Sequence, residues 1–197
     1  ASNAILICHA WTGDSHVTGA AEEGNPTPGW WEGVVGPGKA IDTNKWFVVC
    51  SNVIGGCQGS TGPATAHPED GQLYGPRFPV ITVRDMVRAQ HRMLTEGFGI
   101  ARLDMIIGTS MGCMHAFVWG TTRPGFAERL APFACNAMEI AGRNRMWRQM
   151  TIDAIQADPL WNGGNYNQRP VSGLRTAQNL SIIAGGNAWA QQEQFPT

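Results

Sequence analysis

Short apolar runs, separated by amphipathic stretches, dominate the first two thirds of the chain. The apolar runs predict buried strands at 4–9, 46–52, 105–107 and 130–135. Apolar residues at helical spacing predict helices at 82–94 and 111–119. Strands that alternate with helices or long crossovers are typical of a mostly parallel sheet with helices on its faces, so the sequence predicts an α/β fold.

The pattern changes after Asn136. An amphipathic helical stripe follows and stops at Asp158-Pro159, because a proline restricts the residue before it to non-helical conformations. The apolar members of this stripe are Met146, Trp147, Met150, Ala154 and Ile155. A further helix over 171–189 is weakened by its glycines, and no further strand is evident. We therefore predict that residues 1–136 form the N-terminal part of an α/β core and that residues 137–197 form a helical cap.

Ser110 is the strongest candidate for chemistry. It is the centre of Gly108-Thr109-Ser110-Met111-Gly112, between a predicted strand and a predicted helix. Gly-x-Ser-x-Gly at such a junction is the nucleophile-elbow pattern, in which a sharp turn places a serine hydroxyl above the sheet edge. Glycines are expected there because a Cβ would clash with the neighbouring strand and helix. The N–H groups that begin the helix would then face a developing oxyanion.

Composition narrows the setting. The net charge of −1 offers no positive surface for nucleic acid, so we expect no such partner. No apolar run is long enough to span a membrane and no signal peptide is evident, so we expect no membrane partner. An odd number of cysteines without a CxxC pair argues against a disulfide framework or a structural zinc site and favours the reducing cytoplasm. We expect all five to be small buried apolar residues, namely Cys8, Cys50, Cys57, Cys113 and Cys135.

Longer motifs identify a family. In chain order they lie at 9–16 (HAWTGDSH), 29–31, 36–43 (GPGKAIDT), 50–63 (CSNVIGGCQGSTGP), 78–87 (FPVITVRDMV), 108–114 (GTSMGCM), 157–159 and 161–164. These segments resemble the homoserine O-acetyltransferase family of α/β-hydrolases, including its esterase members, over the whole chain. The resemblance implies an α/β-hydrolase fold with a helical cap, and a sheet that is incomplete within these 197 residues.

The resemblance implies acyl transfer through a serine ester. Ser110 would attack the acyl carbon of a small-molecule ester. The oxyanion would be bound by the backbone N–H of Met111 and by that of Trp11, where tryptophan would narrow the acyl pocket. No cofactor or metal is implied, and acetyl-CoA enters only as the co-substrate of an acetyltransferase.

One position departs from the acetyltransferase pattern. In those enzymes an arginine of the cap helix holds the carboxylate of homoserine, and the matching position here is Ile152. Isoleucine cannot pair with a carboxylate, and burying one without a partner is costly. We therefore expect a member closer to the esterase branch, which hydrolyses short-chain acyl (acetyl) esters. The alternative is O-acetyl transfer from acetyl-CoA to homoserine or another alcohol.

A serine nucleophile also needs a base and an orienting acid, in the chain order Ser, Asp, His in this fold. The only histidine after Ser110 is His115, on the same predicted helix, where we expect it to pack rather than act. The family's Asp and His come from beyond residue 197, so we expect a fragment whose missing C-terminal segment supplies both. A second alternative is a non-catalytic fragment that serves as a binding or assembly half. The resemblance also implies a homodimer built through the cap helices.

Three other interpretations remain open. In the first interpretation, Ser110 is an ordinary serine in a turn and has no catalytic role. In the second, His9, Asp14 and His16 bind a metal, although such residues more often hold a loop by hydrogen bonds. In the third, the glycine-rich segment 55–62 binds phosphate, although it lacks the lysine of a P-loop.

Overall fold

The computed structural model describes residues 3–196. The strands are β1 (Ala4–Cys8), β2 (Val35–Gly36), β3 (Ile41–Asp42), β4 (Phe47–Cys50), β5 (Leu103–Thr109) and β6 (Ala127–Phe133). The helices are α1 (Val83–Arg92), α2 (Met111–Thr122), α3 (Gly142–Gln156), α4 (Val171–Gly185) and α5 (Ala188–Gln194). Short 3₁₀ segments lie at Gly75–Arg77 and Pro159–Gly164, and one π-helical turn at Met93–Gly97 follows α1. The chain divides into two compact units, one ending at Ala137 and one beginning at Met138.

Four parallel strands form the main sheet of the first unit, in the order β4-β1-β5-β6. All five residues of the central strand β1 are buried. A parallel strand covered on both faces reads as a continuous apolar run, which is why the sequence reveals β1 directly. The predicted α/β fold is confirmed. The pattern does not reveal β2 and β3, which pair over only two residues each.

The first unit has a core on each face of its sheet, because successive residues of a strand point to opposite faces. One cluster contains Ala4, Leu6, Cys8, Val49, Val87, Leu94, Ile100, Leu103, Ile106, Ala116 and Trp119. The other contains Ile5, Ile7, Val17, Val35, Ile41 and Ile107.

A capping box fixes the start of α1. The Thr82 hydroxyl accepts from the Asp85 N–H at 3.3 Å, and the Asp85 carboxylate accepts from the Thr82 N–H at 3.0 Å. On its inner face, Gln90 accepts a hydrogen bond from the Trp119 indole N–H at 3.0 Å. That buried bond joins α1 to α2 behind the nucleophile turn, and it satisfies a tryptophan that is almost fully buried.

Within residues 138–196, the second unit contains helices and connecting loops but no strand. Its helices α3 and α4 meet at Gly173, where a Cβ would clash with the Ala154 carbonyl oxygen. Asp158 supports this contact, because its carboxylate accepts from the N–H groups of Gly173 and Leu160, both at 2.9 Å. Those two hydrogen bonds hold the pKa of Asp158 below its ordinary value.

The single helix expected over 171–189 is wrong. The helix α4 ends at Gly185, and Gly186 has an extended backbone. A new helix then starts because the Asn187 side chain accepts from the Ala190 N–H at 2.8 Å. The glycine pair and the capping asparagine together produce the break.

The expectation that all five cysteines are unbonded and buried is also wrong. Cys113 and Cys135 form a disulfide, with Cα atoms 6.0 Å apart, and Cys57 is exposed. Cys8 and Cys50 do lie in apolar surroundings, and burial raises the pKa of Cys50 to about 12. The disulfide joins residues 22 apart in the chain. The sequence does not reveal this pairing because it depends on the register between β5 and β6.

Among residues 3–196, no helix combines the length and the apolar character needed to cross a membrane.

Candidate active site

Ser110 occupies the turn between β5 and α2, with backbone angles φ 54° and ψ −112°. A serine in the left-handed region costs about 1–3 kcal/mol and persists only where the surrounding structure enforces it. Its N–H donates to the Phe133 carbonyl at 3.0 Å, and its own carbonyl accepts from the Cys113 N–H at 3.1 Å. The backbone is thus bonded on both sides, while the residue itself is exposed and its side chain makes no capping bond to α2.

Two glycines make this turn possible. A Cβ at Gly108 would lie well inside the van der Waals radius of the Gly112 carbonyl oxygen. A Cβ at Gly112 would clash in the same way with the carbonyl oxygen of Cys8, at the end of β1. The first turn of α2 therefore packs with its backbone directly against β5 and β1, as the elbow pattern predicts.

The register of the sheet brings together the two candidate oxyanion donors. Cys8 of β1 pairs with Gly108 of β5. Trp11 and Met111 each lie three residues beyond that pair, so both lie just past the carboxyl ends of adjacent parallel strands. The Met111 N–H belongs to the first turn of α2, where N–H groups have no partner within the helix. Their role as oxyanion donors, like that of Ser110 as nucleophile, stays a prediction.

A cavity of about 660 Å³ opens beside these donors. Its walls are His9, Trp11, Thr12, Gly13, Asn52, Val53, Gly55, Gly56, Cys57, Gln58, Pro63, Ala64, Met86 and Met111. Ser110 is not among them, although its neighbour Met111 is. The volume falls within the range of small-molecule sites, and the lining is mostly apolar with a few polar groups.

The loop after β4 forms one wall of the cavity and is held by its own hydrogen bonds. Asn52 accepts from the Ser15 N–H at 2.7 Å, and the Ser60 hydroxyl donates to the Asn52 carbonyl at 2.7 Å. The Gly55 N–H donates to the Thr61 carbonyl at 2.8 Å. A phosphate-binding loop needs such N–H groups free to bind an anion. The hydrogen bond of the Gly55 N–H within the loop therefore favours a structural role for this loop over phosphate binding.

Two histidines, His9 and His115, are buried beneath the site. One ring nitrogen of His9 lies 2.7 Å from the Ala10 carbonyl oxygen. Burial, and secondarily the nearby His9, lower the pKa of His115 to about 4. His115 is therefore neutral at pH 7 and packs in the core, as expected. Within residues 3–196, no hydrogen bond joins either ring to Ser110. Sequence analysis did not foresee their proximity, which follows from the contact of α2 with the end of β1.

The loop after β1 uses its polar residues for its own architecture. One carboxylate oxygen of Asp14 accepts from the His16 N–H at 2.8 Å, and the Asp14 carbonyl accepts from the Trp30 indole N–H at 3.0 Å. In the part of the chain that the structure describes, no three His, Cys, Asp or Glu side chains are grouped to hold a metal ion.

Ile152 lies on α3 in the second unit, where 46% of its surface is exposed.

Comparison with known proteins places the chain in a family. The family model for the alpha/beta hydrolase fold matches residues 3–174. The chain belongs to the α/β-hydrolase fold family. This α/β-hydrolase chain is also 46% identical, over 202 aligned residues, to a homoserine O-acetyltransferase of Thermobifida fusca, covering 98% of the chain and 52% of that enzyme.

Solved structures give the same result for the fold. Homoserine O-acetyltransferase from Bacillus anthracis is 36% identical to this α/β-hydrolase chain with a TM-score of 0.88, over 99% of the chain and 54% of that protein. Esterase E22 is 33% identical with a TM-score of 0.86, over 98% of the chain and 54% of that protein. The chain spans about half the length of the curated relatives that it matches.

The expected resemblance to the homoserine O-acetyltransferase group is confirmed, and esterases are among the structural neighbours. Of the two activities considered for this α/β-hydrolase, acetyl transfer has the better support. Curated relatives such as those of Thermobifida fusca and Solidesulfovibrio magneticus, at 46% and 45% identity, are named as acetyltransferases.

Proposed function

We propose that this chain carries the nucleophile of a serine O-acetyltransferase, which moves an acetyl group from acetyl-CoA to an alcohol through an acyl-enzyme on Ser110. The observation that carries the proposal is the left-handed backbone of Ser110 at the junction of β5 and α2, beside two backbone donors. The names of the relatives supply the acetyl group and homoserine as the acceptor to test first.

The geometry supports a two-step reaction. In the first step the Ser110 Oγ attacks the acetyl carbonyl, and the N–H groups of Trp11 and Met111 bind the oxyanion. The thiol leaves with a proton, and the acetyl group remains on Ser110. In the second step the acceptor hydroxyl attacks the acyl-enzyme, which forms the new ester and restores the serine.

We also propose that the histidine base and its acid come from outside residues 1–197. His9 and His115 are buried and make no hydrogen bond to Ser110 in the described residues, and desolvation favours a neutral His115 held in the core. The matched relatives are about twice as long as this chain, which leaves room for both groups.

Hydrolysis of short acyl esters is the second candidate, and Ile152 is the observation that favours it. The resemblance places a carboxylate-binding arginine at that position in acetyltransferases, and an aliphatic side chain cannot replace it. A neutral alcohol or water would then be the acceptor. The chemistry of Ser110 is the same in both candidates.

A trapping experiment tests the shared step and then separates the candidates. The full-length protein, with the segment that we propose supplies the base, is incubated with acetyl-CoA alone, and a single acetyl adduct that maps to Ser110 is expected by mass spectrometry. Homoserine is then added. Faster loss of the adduct that saturates with homoserine supports the transferase, whereas loss at an unchanged rate supports hydrolysis. An adduct that survives in Ser110→Ala would overturn the assignment of the nucleophile.

A further inference from the structure

The disulfide connects the nucleophile turn to the segment that follows β6. Cys113 lies in the first turn of α2, three residues after Ser110, and is almost fully buried. Cys135 lies two residues after the end of β6, close to Ala137, where the first unit ends. The bond therefore joins the start of the catalytic helix to the segment by which the chain leaves this unit.

The backbone brings the two sulfurs together. Thr109 at the end of β5 pairs with Phe133 at the end of β6, and the Ser110 N–H extends that ladder by one bond to the Phe133 carbonyl. The next residue, Ala134, has φ 58°, a left-handed conformation that is unusual for alanine. This turn in the chain places Cys135 against the first turn of α2.

The two sides of that helical turn are held in different ways. On the β1 side, Gly112 lies directly on the Cys8 backbone. On the other side is β6, the outermost of the four described strands, which has a strand neighbour only on its inner edge. On this side the turn is held by the hydrogen bond from the Ser110 N–H to the Phe133 carbonyl, and the disulfide adds a covalent constraint.

We propose that the Cys113–Cys135 bond is a redox-sensitive clamp on the nucleophile turn. A dithiol opens it by two thiol–disulfide exchanges. Its first sulfur bonds to one cysteine sulfur and releases the other as a thiol. Its second sulfur then displaces the remaining cysteine, so the dithiol becomes a cyclic disulfide, and its two electrons and two protons end on Cys113 and Cys135.

Opening the clamp removes the covalent link between α2 and the segment 134–137, while Phe133 keeps its hydrogen bond to the Ser110 N–H. The β1 side of the turn stays packed, but Ser110 and the Met111 N–H lose the covalent constraint at Cys113, which lies three and two residues away. Reduction therefore lowers stability and loosens the turn. It also slows acyl-enzyme formation, and this last effect rests on the proposed function of Ser110.

Counting reactive thiols under denaturing conditions tests the bond itself. Of the five cysteines within residues 1–197, alkylation without reductant is expected to label three, namely Cys8, Cys50 and Cys57, and alkylation after dithiothreitol is expected to label all five. Peptide mapping of the unreduced protein should show one cross-linked pair. Labels on both Cys113 and Cys135 without reductant would show that the clamp does not form.

Thermal unfolding tests the constraint. A bond that closes a loop of 22 residues is expected to raise the Tm by roughly 6–12 °C in a domain of this size, and dithiothreitol should remove that gain. The double variant Cys113→Ala with Cys135→Ala should unfold at the lower Tm with or without reductant. Cys57→Ser, which removes an exposed free thiol, should keep the full response to dithiothreitol. An unchanged Tm in reduced wild-type protein would overturn the clamp.

Hydrogen exchange and serine labelling separate the clamp from the proposed function. Amides at 110–114 and 133–137 should exchange at least several-fold faster after reduction, while β1 is unchanged, and unchanged exchange at those amides would refute the clamp. A fluorophosphonate should label Ser110 several-fold more slowly in the reduced protein. No labelling in either state, with the exchange response present, would refute the function of Ser110 and leave the clamp standing.

Discussion

Every residue of β1 in the first unit is buried, whereas α3 in the second unit buries none of its 15 residues. The first unit has two apolar clusters on the two faces of a sheet, but α4 of the second unit buries only Gly173 and Ala177. The candidate nucleophile and donors therefore lie on the unit that has a core of its own. Ile152, the residue expected to influence the acceptor, lies on the unit with little core.

This difference means that the shape of the nucleophile turn is decided within the first unit. The turn is surrounded by backbone atoms of β1, β5 and β6, and protein interiors deform little at such contacts. On α3, many side chains are exposed and a substitution there meets few neighbours. Changes in the two units should therefore have different consequences, and four predictions test the contrast.

The largest expected effect is on chemistry at Ser110. Ser110→Ala and Ser110→Gly should each lower acyl-enzyme formation by at least about 10³-fold, because the attacking oxygen is gone. Only the glycine variant relieves the strain of the left-handed backbone. Its free energy of unfolding should therefore exceed that of the alanine variant by roughly 1 kcal/mol. Chemical unfolding of the pair checks this, and equal stabilities would show that the turn is not strained.

The next effect compares close helix packing in the two units. Gly112→Ala should destabilise the first unit by about 3 kcal/mol or more, because neither α2 nor β1 can move away without breaking the core. Gly173→Ala should destabilise the second unit by only about 1–2 kcal/mol, because two helices with exposed outer faces separate more easily.

Gly97→Ala is the matched control, since a Cβ there meets no atom within 4 Å. Its free energy of unfolding should be unchanged or slightly higher. Denaturant unfolding followed by hydrogen exchange assigns each loss to its unit. A larger loss for Gly173→Ala than for Gly112→Ala would reverse the comparison.

A third prediction uses pH to test the core under the nucleophile turn. Burial lowers the pKa of His115 to about 4 from an ordinary value near 6.5, so the unfolded chain binds this proton more readily than the folded one. Stability supplied by the neutral ring is complete above pH 6.5 and falls as the pH drops from 6.5 towards 4.

Between pH 7 and pH 5 the loss should be about 2 kcal/mol. Urea unfolding at the two values measures it, and His115→Gln should remove most of the dependence. If the variant keeps the same pH dependence as the wild type, His115 is not the group that titrates.

The smallest expected effect is at Ile152. Ile152→Arg should raise the selectivity for homoserine over water by about 10-fold, through a charged hydrogen bond to the carboxylate. Because Ile152 is 46% exposed, the free energy of unfolding should change by no more than about 0.5 kcal/mol. Ile183→Arg, on exposed α4, is the control for added charge. Equal gains in both variants would remove Ile152 from the acceptor site.

The sequence is informative where a physical rule acts locally. The buried run of β1, the capping residues Thr82 and Asp85, and the glycines around Ser110 each report their own surroundings. Features that need two distant segments in register are not visible in this way. The pairing of Cys113 with Cys135 depends on how β5 aligns with β6. The proximity of His9 and His115 depends on how β1 aligns with β5, about 100 residues further along the chain.

Short elements fail for another reason. The strands β2 and β3 are two residues long, too short to show a period, and only the hydrogen bonds between them define a strand. The sequence pattern predicts one helix across the break between α4 and α5, because the helical spacing of its apolar residues outweighs the signal of Gly186 and Asn187.

The pairing of β1 with β5 also has a consequence for how this chain folds. Partners such as Ile5 and Met105 are 100 residues apart, so a long loop must close before these two strands pair with each other. Contacts of such long range slow folding, whereas the helices of the second unit need only near neighbours. The two candidate oxyanion donors therefore come together only when this loop closes, and a chain interrupted during synthesis before Thr109 has no site at all.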